Sequence, residues 1–266
     1  YVIAPVVIFY GTYTAQISLT NISLPVLFFI ISSFLSLVFY KFGSYFFKDS
    51  TKNILAFTAG TGNTGYFGLP VVLGLFGEQA FSLAVLSILG FVLYENSLGF
   101  FLTAKGHHTV GESLQKVFRL PTIYAFFLGV ILNLSGFDLG ELGVSVIENF
   151  KGAYTLLGMM LIGMGLSTVT AKHVDCKFLA ISFLAKFVAW PAIVLGLIFV
   201  DKNFIQFYNP EIYQILILMA IVPLAANTVA VATELKVHPD KASLAVLLST
   251  VFALFYIPTI VSLFIS

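Results

Sequence analysis

Two asparagine–threonine pairs lie in the middle of apolar segments, each beside residues that interrupt helices. Asn63 and Thr64 belong to residues 59–70, a run that holds four glycines and a proline among its twelve residues. Asn227 follows Pro223 in a second apolar segment and is itself followed by a threonine. Because glycine costs about 1 kcal/mol and proline about 3 kcal/mol inside a helix, we expect both helices to break at these points.

A helix that breaks within the membrane leaves backbone N–H and C=O groups unpaired. Its unpaired backbone groups are tolerated only inside protein or beside a water-filled cavity. The amino-terminal end of a half-helix favours an anion, the carbonyl end favours a cation, and asparagine side chains add donors and acceptors. The competing interpretation is a pair of proline kinks whose asparagines only tie helices together. We expect a substrate-binding site formed by Asn63, Thr64, Gly65, Pro70, Pro223, Asn227 and Thr228.

Two ionisable residues, Glu95 and Lys186, also lie deep in apolar segments. Counting helical rise from the nearest loop lysine puts both roughly 14–17 Å into the membrane, near its midplane. Ionisable residues at that depth are functional candidates. Three interpretations stay open: Glu95 and Lys186 pair with each other, Glu95 binds a coupling H⁺ or Na⁺, or Lys186 faces an anionic substrate.

The elements that position these residues must be membrane-spanning helices. Of the 266 residues, 59% are hydrophobic and only 9% are charged, whereas a soluble domain carries about 25% charged residues. The net charge of +1 provides no basic field for nucleic acid, and the single cysteine, Cys176, excludes an intrachain disulfide framework. No cofactor and no metal-binding spacing is indicated, so a coupling ion is the only inorganic partner expected.

Nine segments are apolar and long enough to span a hydrocarbon core of about 30 Å. They are approximately residues 2–18, 24–47, 53–76, 79–104, 119–136, 143–169, 177–200, 209–235 and 241–265. Ten of the thirteen basic residues fall in alternate loops, on one side, which we expect to be cytoplasmic. These residues are Lys41, Lys48, Lys52, Lys105, Lys116, Arg119, Lys172, Lys177, Lys236 and Lys241.

An internal repeat links the two asparagine segments. The sequence SLAVL occurs at residues 82–86 and again at 243–247, at similar distances after Asn63 and Asn227. The loop pattern gives the two asparagine helices opposite directions, and inverted repeats around broken helices are typical of secondary transporters. We therefore expect an all-α membrane protein with two inverted five-helix repeats: residues 1–104, then a cytoplasmic loop at 105–118, then 119–266. The first repeat lacks one helix, so ten helices are expected in full and nine here, in a single membrane domain.

These residues resemble a known family. The run NTGYFGLP at residues 63–70, followed by LFG at 75–77, resembles the N-T-G-x-x-G-L-P…G signature of the auxin efflux carrier family. Pro223 with Asn227 resembles the family's second crossover, and Lys186 with Pro191 resembles its eighth-helix pattern. The resemblance implies crossed broken helices, a scaffold and a transport part, elevator-like alternating access, anionic substrates and, where members dimerise, contact through the scaffold.

We therefore expect a multi-pass carrier of the plasma or inner membrane that exports small organic anions such as mono- or dicarboxylates. Its partners would be that substrate, the lipid bilayer and a second copy in a homodimer, and not nucleic acid. A sodium-coupled organic-anion symporter with the related bile-acid-carrier fold is the nearest alternative. A membrane sensor that kept the transporter fold is another. An enzyme is not expected, because the sequence shows no nucleophile–base or metal constellation.

Overall fold

The computed structural model describes residues 3–15, 18–104, 121–167 and 174–264. Within these ranges all regular structure is helical, which confirms the predicted all-α class. Four helical stretches are long and apolar enough to cross a membrane: Leu19–Phe46, Thr51–Thr103, Cys176–Ile205 and Pro239–Leu263. The predicted cytoplasmic loop at 105–118 lies outside the described residues.

The helices of the first half run α1 (Ile3–Thr14), α2 (Leu19–Phe46), α3 (Thr51–Gly60), α4 (Leu69–Tyr94) and α5 (Phe100–Thr103). Those of the second half run α6 (Pro121–Ser135), α7 (Gly140–Ser167), α8 (Cys176–Leu184), α9 (Trp190–Val200), α10 (Pro210–Ile221), α11 (Asn227–Glu234) and α12 (Pro239–Phe264). Wider π-helical turns connect several of them, at Thr64–Gly68, Glu95–Gly99, Ala185–Ala189 and Asp201–Ile205.

Local sequence explains where several helices begin. Ser18 precedes α2 and its hydroxyl accepts the Asn21 amide at 3.2 Å. Asn209 caps α10 in the same way, and Pro210 follows at the first helical position, where no amide proton is needed. Asp175 caps α8. These caps place the helix starts in the loops that separate the predicted spans.

The boundary between the third and fourth predicted spans is a single glycine. α4 consists of two helical parts that meet in a kink at Gly77, where φ is +78° and ψ is −167°. A residue with a Cβ rarely adopts that backbone conformation, and glycine adopts it freely. The predicted division between residues 76 and 79 is therefore confirmed.

The described helices pack as two groups. α1 packs against α6 and α7, and these three helices form the smaller group. The larger group contains the remaining helices, with α2 packed on α3 and α4, α10 packed on α4 and α9, and α8 packed on α3 and α12. The two groups meet where α1 contacts α4 and where α7 contacts the turn at Thr64–Gly68.

Loops that were assigned to one side of the membrane lie together. On the predicted cytoplasmic side, His238 lies 3.3 Å from Asp49, and the Lys241 ammonium lies 2.8 Å from the Asp175 carboxylate. Partial burial of Asp175 works against its ionisation, but its bonds to Lys241 and to two backbone amides hold its pKa below the usual value. On the other side, the Tyr13 hydroxyl donates to the Phe137 carbonyl at 2.8 Å.

Candidate functional site

The two interrupted helices touch at their breaks. Residues 61–63 separate α3 from the turn at Thr64–Gly68, and residues 222–226 separate α10 from α11. The backbone amide of Asn63 donates to the carbonyl oxygen of Pro223 at 2.8 Å. This bond joins the two extended stretches directly, so the segments predicted to break do break, and they cross each other.

Each asparagine lies at the start of the second half of its interrupted helix. The Asn63 carbonyl accepts the Gly68 amide at 3.0 Å and so starts the wide turn that leads into α4. Asn227 is the first residue of α11. The positive ends of two half-helix dipoles therefore meet at the crossing, where an anion would be stabilised.

Side chains from neighbouring helices bind backbone groups that the breaks leave free. The Trp190 indole donates to the Ala59 carbonyl at 2.8 Å, near the end of α3. The Leu224 amide in the second break donates to the Ser249 hydroxyl of α12 at 3.1 Å. These bonds matter because an unpaired backbone group in an apolar interior costs several kcal/mol.

Glu95 connects the two breaks through its carboxylate. One carboxylate oxygen accepts the Asn227 carboxamide at 2.7 Å, and the other accepts the Thr61 hydroxyl. Glu95 is buried and begins the π-helical turn that follows α4. The structure thus brings Glu95 and Asn227 together at the crossing.

Lys186 lies beside Gly62 and makes no hydrogen bond to Glu95. Its side chain is fully buried, and among the described residues its Nζ has no hydrogen-bond partner. Nζ lies 4.8 Å from the centre of the Trp190 ring and beside Gly62, where an added Cβ would approach it to 2.4 Å. Of the three interpretations left open for these residues, the direct pair is contradicted, because Nζ has no hydrogen-bond partner in the described part of the chain and Glu95 is bound by Thr61 and Asn227.

A cavity of about 320 Å³ opens at the crossing. The larger helix group lines it with residues of both breaks and with the start of the π-helical turn after α4. The smaller group supplies Pro5 and Ile8 of α1 and Pro121 of α6. The lining therefore spans the boundary between the two groups. The crossing residues on its wall are Gly62, Asn63, Thr64, Gly65, Tyr66, Glu95, Asn96, Ala225, Ala226 and Asn227.

Four predicted site residues do not line this cavity. Pro70 lies in the first turn of α4, where its missing amide proton is not needed. Pro223 takes part in the crossing through its carbonyl oxygen. The Thr228 hydroxyl is buried without a partner among the described residues, and Lys186 lies behind Gly62.

Residues 107–261, more than half of the chain, match the sequence profile of a family described as membrane transport protein. This is the auxin efflux carrier family. The chain belongs to it.

Relatives agree with this assignment. An uncharacterized transporter of Methanothermobacter thermautotrophicus is 26% identical over 96% of this chain and 83% of its own length. An uncharacterized transporter of Methanocaldococcus jannaschii is 26% identical over 89% of this chain and 77% of its own. A probable auxin efflux carrier component 9 of Oryza sativa is 26% identical over 55% of this chain and 34% of its own.

In this auxin efflux carrier family member, the sequence alone missed two residues of the site. Thr61 binds Glu95, and Trp190 binds the first break. Thr61 lies within the glycine-rich run, so its proximity to the break was visible. Trp190 is the one tryptophan of the chain and follows Lys186 by about one helical turn. That spacing was a signal that both side chains point the same way.

Proposed function

We propose that this protein is a secondary carrier of small organic anions that binds its substrate in the cavity at the crossing. The observation that supports this best is the Asn63 carboxamide, whose Nδ2 is buried and has no hydrogen-bond partner among the described residues. A buried donor of this kind is costly unless something pairs with it. A carboxylate in the adjoining cavity would supply that acceptor.

The surroundings of the cavity favour an anion of modest size. The amino-terminal ends of two half-helices meet there, and helix starts of this kind bind carboxylates and phosphates. The volume of about 320 Å³ is at the lower end of the range for small-molecule sites. A mono- or dicarboxylate fits these conditions, with Asn63 as the main hydrogen-bond donor and Thr64 and Gly65 beside it.

Glu95 is the candidate for a coupling cation. Its carboxylate lines the same cavity, so it would repel an anionic substrate while it is ionised. A proton or Na⁺ bound at Glu95 would remove that repulsion, which links cation and substrate binding. This observation favours the sodium-coupled organic-anion symporter as a second candidate, with Thr61 and Asn227 orienting the carboxylate.

The position of the cavity also supports alternating access. Its walls come from both helix groups, so a displacement of the larger group past the smaller one would change which side of the membrane the cavity faces. Elevator-like motion of that kind carries the crossing as a rigid unit, because the bond from Asn63 to Pro223 joins its two halves.

The test is substrate uptake by proteoliposomes containing the purified protein, with labelled mono- and dicarboxylates and with Na⁺ and pH varied. Wild-type protein is expected to show saturable uptake. Asn63→Ala removes a hydrogen bond to a charged group and should weaken apparent affinity by about ten- to a hundredfold. Asn149→Ala is the matched control, because Asn149 is exposed and, among the described residues, bonds its own helix through the Ser145 carbonyl.

Uptake that is the same in wild type, Asn63→Ala and Asn227→Ala would contradict the assignment of the cavity as the substrate site. Substrate binding without any flux would instead favour a sensor that kept the transporter fold. Flux that requires Na⁺ and is lost in Glu95→Gln would favour the sodium-coupled symporter.

A further inference from the structure

The Lys186 amine lies directly behind the proposed substrate cavity. Gly62 is on the cavity wall, and Nζ is so close to it that a Cβ on Gly62 would lie 2.4 Å away. Only backbone therefore separates the amine from the cavity at this point. Lys186 itself is not part of the lining, so it cannot act as a simple contact to the substrate.

The surroundings of Nζ are unsuited to a permanent positive charge. The amine is fully buried and has no hydrogen-bond acceptor among the described residues. Its neighbours are the faces of Trp190, at 4.8 Å, and Phe91, at 6.0 Å from the ring centres. These rings attract a cation weakly, but an ammonium ion without an acceptor or a nearby anion is expensive in a membrane interior.

The titratable groups that follow Phe91 along the chain are already engaged. Glu95, in the π-helical turn that follows α4, is bound by Thr61 and Asn227. The Tyr94 hydroxyl is 2.9 Å from Ser36 Oγ and 3.0 Å from the Ala56 carbonyl. The facing residues from the two breaks, Gly62 and Val222, carry no charge. An anion in the cavity would thus be the charge that changes most at Lys186 during a transport cycle.

We propose that Lys186 takes up a proton when an organic anion binds in the cavity, so that anion and proton cross the membrane together. The inference rests on the proposed carrier function and adds a proton site at Lys186 to the candidate cation site at Glu95. The neutral amine accepts one proton from the aqueous side as the anion enters, and the ammonium returns that proton as the anion leaves. With a monocarboxylate, and with no cation carried at Glu95, the cycle moves no net charge.

Gly62 allows the charge of a bound anion to act on the Lys186 amine at short range. The electrostatic attraction between the bound anion and the ammonium acts across a break whose wall has no side chain at that point. Thr61 and Asn63 flank it, so three consecutive residues contact Glu95 through the Thr61 hydroxyl, line the substrate cavity and adjoin Lys186. Lys186 is therefore a positioning and coupling residue that acts through the first break, and not a residue that touches the substrate.

The single tryptophan of the chain provides a local reporter. Trp190 faces Nζ, so its fluorescence should change when the amine gains a proton. We expect the emission of the wild-type protein to titrate with pH. Saturating malonate or phenylacetate should move the midpoint up by about one pH unit, which corresponds to about tenfold tighter anion binding to the protonated form.

Two variants assign the titration to Lys186. Lys186→Met should abolish both the fluorescence titration and the dependence of anion affinity on pH. Lys186→Arg keeps a positive charge that does not dissociate in proteins, so it should bind the anion with an affinity that no longer changes with pH. Calorimetric titration in two buffers of different ionisation enthalpy counts the protons bound by the wild type and needs no variant.

The outcomes separate this inference from the carrier proposal. A probe that binds wild-type protein without proton uptake, or with a pH dependence that persists in Lys186→Met, overturns the role of Lys186 and leaves the carrier intact. Persistence in Lys186→Met would assign the proton to another group, such as Glu95. If no carboxylate in the panel binds or is transported, the proposed function itself fails and the inference fails with it.

Discussion

At the scale of single residues, the crossing depends on side chains that bind backbone and on one residue that has no side chain. Asn63 and Asn227 were identifiable from sequence, because polar residues beside helix breakers in apolar segments are rare. The position of Lys186 was not identifiable. Its depth followed from its spacing to a loop lysine, but the direction of its side chain is set by the π-helical turn at Ala185–Ala189.

Gly62 provides a test at this scale. An added Cβ would lie 2.4 Å from Lys186 Nζ and 3.0 Å from Val222 Cγ2, so one of the two side chains must move. We expect Gly62→Ala to lower the unfolding free energy by about 1–3 kcal/mol through overpacking and to reduce anion uptake. Thermal unfolding in detergent and proteoliposome flux measure the two effects.

Gly74→Ala is the matched control for that variant. Gly74 lies in α4, and nothing lies within 4 Å of an added Cβ. We expect it to unfold at the wild-type temperature or slightly above, because alanine is the better helix former. Equal stability and equal uptake in Gly62→Ala and Gly74→Ala would show that the space beside Lys186 is not restrictive.

At the scale of helices, the sequence predicted which elements break but not how the breaks are stabilised. Glycine and proline located the two interruptions, and their backbone costs are local properties. The partners of the freed backbone groups come from distant positions, as with Trp190 on Ala59 and Ser249 on Leu224. No local pattern in the sequence encodes such contacts, because they depend on how α9 and α12 pack.

The π-helical turns were also missed. Glu95 begins one and Lys186 lies in another, so both buried ionisable residues stand where helical hydrogen bonding is irregular. Turns of this type are rare and frequently occur at functional sites. Their presence at both residues adds a structural reason, independent of depth, to treat Glu95 and Lys186 as functional.

Ser249 tests the stabilisation of the second break. Its hydroxyl accepts the Leu224 amide at 3.1 Å, and both groups are buried. Ser249→Ala leaves that amide without a partner, so we expect a loss of about 1–3 kcal/mol in stability and a lower uptake rate. Thr250→Val is the control, because in the described part of the chain the Thr250 hydroxyl bonds the Val246 carbonyl of its own helix. A loss of the same size in both variants would assign no special role to the bond with Leu224.

At the scale of the whole molecule, two helix groups enclose the cavity between them. The sequence pattern assigned spans and loop sides, and the contacts at each end agree with that assignment. It did not show that α1, α6 and α7 would form a separate group, since apolar faces that meet lipid and those that meet other helices have similar compositions. For example, Phe34 of α2 is 56% exposed whereas Phe28 of the same helix is fully buried.

An engineered disulfide between the groups tests whether they move. An added Cβ on Gly11 of α1 would lie 2.9 Å from the Val85 Cβ of α4, and Val85→Cys removes the Cγ atoms that would otherwise collide. A disulfide needs about 3.5–4.5 Å between the two Cβ atoms, so α1 and α4 must separate slightly at this point for the bond to form. In a Cys176→Ala background, oxidised Gly11→Cys/Val85→Cys should lose anion uptake, and reductant should restore it.

The control pair, Gly43→Cys/Lys52→Cys, joins α2 to α3 inside the larger group. An added Cβ on Gly43 would lie 3.5 Å from the Lys52 Cβ. Because that pair should move as one body, its oxidation should leave uptake unchanged. If the first pair forms its disulfide fully and transports anions at the reduced rate or better, the two groups do not slide past each other there, and access to the cavity must alternate by another motion.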